Sequence, residues 1–151
     1  VTVNAQEKKE LKEGDQAPTF KYLDINGKEV SLSDLKGKYV YIDVWATWCG
    51  PCQYELPHLK ELEKKMHGKK IVFVSISCDK DKAAWEKMVK EQGLGGVQLH
   101  NGGDREFMTA FGIRGIPRFI LLDKEGKVVN ANMTRPSNAE TEKTLKALKG
   151  I

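Results

Sequence analysis

Tyr39-Val40-Tyr41-Ile42-Asp43-Val44-Trp45-Ala46-Thr47-Trp48-Cys49-Gly50-Pro51-Cys52 is the stretch on which the reading of this chain turns. Tyr39 to Trp45 is apolar or aromatic except for Asp43, the pattern of a buried strand interrupted by one acid. From Gln53 to His67, Leu56, Leu59, Leu62 and Met66 recur at helical spacing, Gly68 closes the run, and Pro57 inside it predicts a bend. The two cysteines therefore join the carboxyl end of a strand to the start of a helix, which is where open α/β sheets place their sites.

Cys49 falls at or just before the first helical turn, where unpaired N–H groups and the positive end of the helix dipole favour an anion. The anion available is a thiolate. A free thiol of pKa ~8.5 is about 3% ionised at pH 7, and lowering it to about 7 makes it half ionised for roughly 2 kcal/mol. Cys52 follows one turn later on the same face, close enough to form a disulfide. Gly50 lets a partner backbone approach, and Pro51 at an early helical position gives up no intrahelical hydrogen bond. The chemistry that fits is thiol–disulfide exchange: Cys49 attacks a substrate disulfide, then Cys52 attacks Cys49 and releases the reduced substrate. Asp43, buried without a cation, is expected to have a raised proton affinity and so to take the proton from Cys52, directly or through water. Glu55 is a second carboxylate near the pair; its charge opposes the thiolate, so its expected effect is to tune the pair or relay a proton. Half a zinc site is a poor alternative, because no second Cys-x-x-Cys or paired His follows.

Outward from this centre, Pro18 to Asp24 alternates, Asn26-Gly27 is a hairpin turn signal, and Glu29 to Leu32 returns, so a β-hairpin precedes the strand at Tyr39. Beyond it, Ile71–Ile76 reads as a central strand, Lys82–Gln92 as a helix broken by Gly93 to Gly96, and Val97–His100 as a short strand. Arg105–Phe111 reads as a short helix, Arg118–Leu122 and Lys127–Val129 as strands around a turn, and Ala139–Lys149 as a closing helix. Pro136 to Asn138 reads as a linker that introduces that last helix. The expected class is α/β: a central mixed, mostly parallel sheet flanked by helices. Residues 1–13 read as a flexible N-terminal segment and 14–151 as a single domain. The Val1 start is that of a processed chain or of a piece of a longer protein.

Composition narrows the alternatives. A length of 151 residues supports one hydrophobic core without metal or disulfide staples. The 25 Lys and Arg exceed the 21 Asp and Glu by only 4, and they interleave with the acids, so no basic face points to nucleic acid. No apolar run approaches the ~20 residues that span a bilayer. Three cysteines do not make a disulfide scaffold; Cys78 reads as a packed thiol, and His58, His67 and His100 show no ligand pattern.

Trp48-Cys49-Gly50-Pro51-Cys52, preceded by Tyr41 to Ala46 and followed by Phe111-Gly112-Ile113-Arg114-Gly115-Ile116-Pro117, resembles the thioredoxin superfamily from about Gly14 to Lys149. The N-terminal hairpin, the Gly14–Phe20 opening, Glu55-Leu56-Pro57 and an insert from Lys80 to Arg105 are similar to the exported, TlpA-like, redoxin-type thiol–disulfide oxidoreductases of the bacterial envelope. The resemblance implies a thioredoxin-like fold with an extra N-terminal hairpin and a central insert. It implies that Cys49 is the exposed nucleophile, Cys52 the buried resolving thiol, and Asp43 and Glu55 the acids near them. Pro117 would be a cis proline facing the pair, presenting the Ile116 backbone to an extended substrate strand, with Trp48, Gly50 and Pro51 on the substrate side. No cofactor is implied beyond the cysteine pair. The implied partners are disulfide-containing proteins and a membrane or protein thiol electron donor, the implied state a monomer, and the implied location the periplasm or cell envelope. Two positions depart from thioredoxin: Arg118 follows the proline where a small polar residue is common, and the strand from Ile71 carries no Lys directed at the pair.

The function expected is reduction of disulfides in exported proteins, for example in cytochrome c maturation. An oxidant or isomerase is the alternative within the same chemistry. A thiol peroxidase is the alternative outside it, but its Thr-x-x-Cys setting is absent, since Thr47 stands only two residues before Cys49.

Overall fold

The computed structural model describes residues 10–151. Among them, strands β1 (Lys21–Asp24), β2 (Glu29–Ser31), β3 (Tyr39–Trp45), β4 (Ile71–Ser77), β5 (Val97–His100), β6 (Arg118–Leu122) and β7 (Val128–Asn130) form one sheet in the order β2-β1-β5-β4-β3-β6-β7. Helices α1 (Gly50–Lys65), α2 (Lys82–Gln92), α3 (Glu106–Ala110) and α4 (Ala139–Lys146) complete the α/β architecture expected. The sheet is mixed, but the expectation of mostly parallel pairing needs correction. Only β3–β4 and β4–β5 are parallel, while the other four pairings are antiparallel. Short turns join β1 to β2 and β6 to β7, and such turns permit only antiparallel neighbours. Strand β6 starts at the edge where β3 ends, with Arg118 opposite Val44, so it too runs against β3.

Both hairpins use the same device. Asp24 Oδ1 accepts from the N–H groups of Asn26 and Lys28 (2.8 and 2.9 Å), and Asp123 Oδ1 accepts from Glu125 and Lys127 (2.8 and 2.9 Å). An Asp side chain that closes its own turn widens the loop beyond the two-residue form that Asn-Gly alone suggests, and only Gly27 takes a positive φ there.

Alternation along β3 sorts the two faces. Val40, Ile42 and Val44 join Phe20, Tyr22 and the α3 residues Phe107 and Met108 in one core. Tyr39 and Tyr41 face Leu59 and Leu62 of α1, its C-cap Met66 and Leu145 of α4, while Trp45 packs with Trp85 and Val89 of α2 and with both cysteines of the pair. Asp43 shares the parity of Tyr41 and Trp45, so it faces the helix that begins with the pair. The insert of the sequence reading contributes β5, which extends the sheet, and α2, whose Trp85 and Val89 cover Trp45 and the cysteine pair. Of the segment expected to be flexible, residues 1–9 lie outside the described residues. Leu11 N–H donates to Ala110 O (3.1 Å) and the Leu11 side chain packs on the first core.

Candidate active site

Cys49 and Cys52 are joined as a disulfide at the first turn of α1, with Cα atoms 5.2 Å apart. Cys49 is the N-cap of that helix, and its Sγ accepts the Cys52 N–H at 3.2 Å. This is the interaction that holds negative charge on Sγ once the bond is opened. The Ile116–Pro117 peptide is cis, as the resemblance implied, and Ile116 O lies 3.7 Å from Cys49 Sγ. One expectation is corrected here. Cys49 is not the exposed partner: it is 4% exposed against 2% for Cys52, because its sulfur is bonded to Cys52 and covered by the Ile116 carbonyl. Exposure belongs to Trp48, at 70%. Trp48, Gly50, Pro51 and Ile116 line one open groove of about 1270 Å³ together with Cys49, and Cys78, Lys80, Arg105 and Arg114 form its other side.

Asp43 is buried at the middle of β3 and accepts from Ser75 Oγ of β4 at 2.5 Å. Burial pushes its carboxyl up to about 7, opposed by the Ser75 hydrogen bond and reinforced by the charge of Glu63. Ser75 stands opposite Asp43 in the strand register, the row where the sequence showed no Lys. Tyr41, on the same face, is likewise raised by burial, and its hydroxyl donates to Thr134 O (2.8 Å).

Glu55 and Arg118 each fasten one segment to another. Glu55 is buried, and its carboxylate accepts the Ser137 N–H (2.9 Å) and the Ser137 hydroxyl (2.7 Å). It ties α1 to the Pro136–Asn138 stretch that the sequence presented as a mere linker. Arg118 donates from Nε and a terminal nitrogen to Ala131 O (3.1 and 2.6 Å), which fastens the start of β6 behind the cis proline. Cys78 is half-buried and free; burial and then Asp79 push its thiol up. The residue that sequence reading missed is Asp79. Its carboxylate accepts the Thr47 N–H (3.0 and 3.1 Å to its two oxygens), the Thr47 hydroxyl (2.7 Å) and the Ser77 hydroxyl (2.5 Å), fixing the loop that carries Trp48 and Cys49. The only signal for it was an acid directly after Cys78 at the end of a central strand. Among the described residues no group of three or more His, Cys, Asp or Glu is placed to hold a metal ion, and no helix is long and apolar enough to cross a membrane.

Comparison with known proteins places this geometry in a wider set. The Redoxin family model matches residues 12–148. Thiol-disulfide oxidoreductase ResA of Bacillus thuringiensis subsp. konkukian is 33% identical over 144 residues, covering 95% of this chain and 81% of the relative. Its namesake in Bacillus subtilis is 34% identical over 122 residues, covering 81% of this chain and 68% of the relative. Among solved structures, a proposed thiol-disulfide oxidoreductase from Bacteroides vulgatus is 67% identical with a TM-score of 0.78, covering 83% of each chain. A thiol:disulfide interchange protein from Bacteroides sp. is 29% identical with a TM-score of 0.80, covering 90% of this chain and 89% of the other.

Proposed function

Because the chain belongs to the Redoxin family of the thioredoxin superfamily and is a thiol–disulfide oxidoreductase, we propose that it works as a dithiol reductant of protein disulfides, with Cys49 as nucleophile and Cys52 as resolving thiol. The observation that carries this reading is the pairing of a helix-capping sulfur at Cys49 with a buried acid, Asp43, on the strand face beneath the same helix. An internal base behind the resolving thiol serves the direction in which Cys52 attacks.

The Cys49 thiolate, held by the Cys52 N–H and the helix terminus, attacks one sulfur of the substrate disulfide; the other leaves as a thiolate and takes up a proton from water. Cys52 passes its proton to Asp43 and attacks Cys49 Sγ, forming the internal disulfide and releasing the second substrate thiolate. Two electrons have left the cysteine pair and reduced one substrate disulfide. A membrane or protein dithiol donor returns them. The substrate strand lies in the groove against the Ile116 backbone beside Pro117, with Trp48, Gly50 and Pro51 on its other side. Substrates of this kind are exported proteins, including apocytochromes, so the reading locates the protein in the periplasm or cell envelope.

Equilibration of the pair against glutathione tests the direction. A potential near the ~−270 mV of thioredoxin supports a reductant, and one near the ~−120 mV of a strong oxidant overturns it. In the same preparation Cys49→Ala is expected to abolish reduction of insulin disulfides, and turnover that persists refutes the assignment of the nucleophile.

A further inference from the structure

Asp43, Ser75 and Gln98 form a polar row across three adjacent strands. Asp43 of β3 stands opposite Ser75 of β4, and Ser75 stands opposite Gln98 of β5. The row is buried, with Asp43 at 4%, Ser75 at 4% and Gln98 at 5% exposure. A core position costs a polar group its hydration, so such a row calls for partners. Ser75 donates to Asp43, and Gln98 donates from Nε2 to Gly95 O at 2.7 Å. Gln98 Oε1, however, accepts from no donor among the described residues. It is an open acceptor inside the protein, at the end of the row away from Asp43.

The Gly95-Gly96 turn that receives the Gln98 amide also receives a second acid. Glu63, from the last turn of α1, is half-buried and lays its carboxylate on this turn. A Cβ at Gly95 would sit 3.5 Å from Glu63 Oε2, and one at Gly96 would sit 2.9 Å from it and 2.7 Å from Phe73 O. Gly96 also has φ +68°, so both its backbone conformation and the close approach require glycine. On its outer side Glu63 opens into a surface cleft shared with Lys38, His67, Lys69 and Lys70. Its carboxylate thus stands between solvent and the buried polar row.

We propose that Glu63 is the outer carboxylate of a proton path whose inner end is Asp43, so that the proton taken from Cys52 leaves through the Asp43–Ser75–Gln98 row to the Gly95-Gly96 cleft. This rests on the reading of Asp43 as the acceptor of the Cys52 proton. The transfers balance. Cys52 thiol and Asp43 carboxylate become thiolate and carboxylic acid; the proton then passes by way of water held at Gln98 Oε1 to the Glu63 carboxylate, and from there to bulk water, restoring Asp43. Relay groups work best when their proton affinities match each other and the working pH. Burial brings Glu63 up to about 7, against the pull of Lys60, which is the value at which burial sets Asp43. The one charge that acts on Asp43 is that of Glu63; Tyr41 of β3 feels both Asp43 and Glu55 of α1, and Glu55 is held by Ser137. The row gives the proton a way out while the Cys49 groove is filled by substrate.

Reaction of the reduced protein with 5,5′-dithiobis(2-nitrobenzoate), in a Cys78→Ser background, separates the two chemical steps. The first thionitrobenzoate released reports attack by Cys49 and the second reports attack by Cys52. Glu63→Gln and Glu63→Ala are expected to leave the first release unchanged and to slow the second about tenfold between pH 6 and 8. Added acetate, small enough for the cleft that Glu63→Ala opens, is expected to restore the second release. A second release within twofold of the parent in both variants overturns the path, and so does a slow Glu63→Ala that acetate fails to restore, since that marks a structural loss. Asp43→Asn separates the two levels of the argument. A second release that it leaves unslowed overturns the reading of Asp43, and one that slows in Asp43→Asn but not in the Glu63 variants removes Glu63 alone.

Discussion

At the scale of single residues, the reactive pair depends on side chains that never meet substrate. Asp79 has the most to hold. Besides the three donors on its carboxylate, its carbonyl oxygen accepts His100 Nε2 (2.8 Å), and His100 Nδ1 accepts the Gly102 N–H (3.3 Å). Held at both ring nitrogens, the imidazole stacks on Trp85 with ring centroids 5.2 Å apart. Asp79→Asn replaces one accepting oxygen by an amide nitrogen that cannot accept, so at least one of the Thr47 and Ser77 donors is left buried without a partner. That loss costs about 1–3 kcal/mol. Urea unfolding is expected to show it, and insulin reduction is expected to fall severalfold because Trp48 and Cys49 follow directly on Thr47. Full turnover in a destabilised Asp79→Asn would mean that the network supports the fold without aligning the pair.

At the scale of elements, the clamp from α1 to the segment before α4 shows what local sequence can and cannot reveal. The bounds of β3, α2 and β5 follow from hydrophobic periodicity and from breakers such as Gly93, whose positive φ of +59° ends α2 as a left-handed cap. The Cys49-Gly50-Pro51-Cys52 pair was legible because motif and chemistry coincide within a few residues, and the cis Pro117 only through the family resemblance. The direction of β6, the Asp79–Thr47 network and the Glu55–Ser137 clamp were not, since each joins residues far apart in the chain and a lone acid or serine carries no mark of its partner. Glu55 in particular has the spacing of an ordinary surface acid, and only the fold shows that it is buried. Ser137→Ala removes one of the two donors to a buried carboxylate and is expected to lower stability by about 1–2 kcal/mol. In a double-mutant cycle with Glu55→Gln the two losses should overlap. Strictly additive losses would show that the clamp is not where either substitution acts.

At the scale of the whole molecule, two acids in the second core set how stability responds to pH. Asp43 and Glu63 are both raised to about 7 by burial, whereas carboxyls of an unfolded chain titrate near ~4. Between these values the folded protein binds more protons than the unfolded one, so stability falls as pH rises through the window. The contribution is fully present below pH ~4 and is lost by the time pH passes the folded value near 7. For Asp43 the rise from 3.8 to about 7 corresponds to about 4 kcal/mol. Glu63 acts in the same direction but is partly in water, which screens its share. The oxidised protein is therefore expected to have a higher urea midpoint at pH 5 than at pH 8. Asp43→Asn keeps an acceptor for Ser75 and carries no charge, so it should flatten most of that slope and exceed the parent in stability at pH 8. Glu63→Gln should flatten it by a smaller amount. An undiminished slope in Asp43→Asn would show that the proton affinity of the buried carboxyl at the centre of the sheet is not raised, and the group proposed to take the Cys52 proton would then be ionised but too weak a base to draw it efficiently at neutral pH.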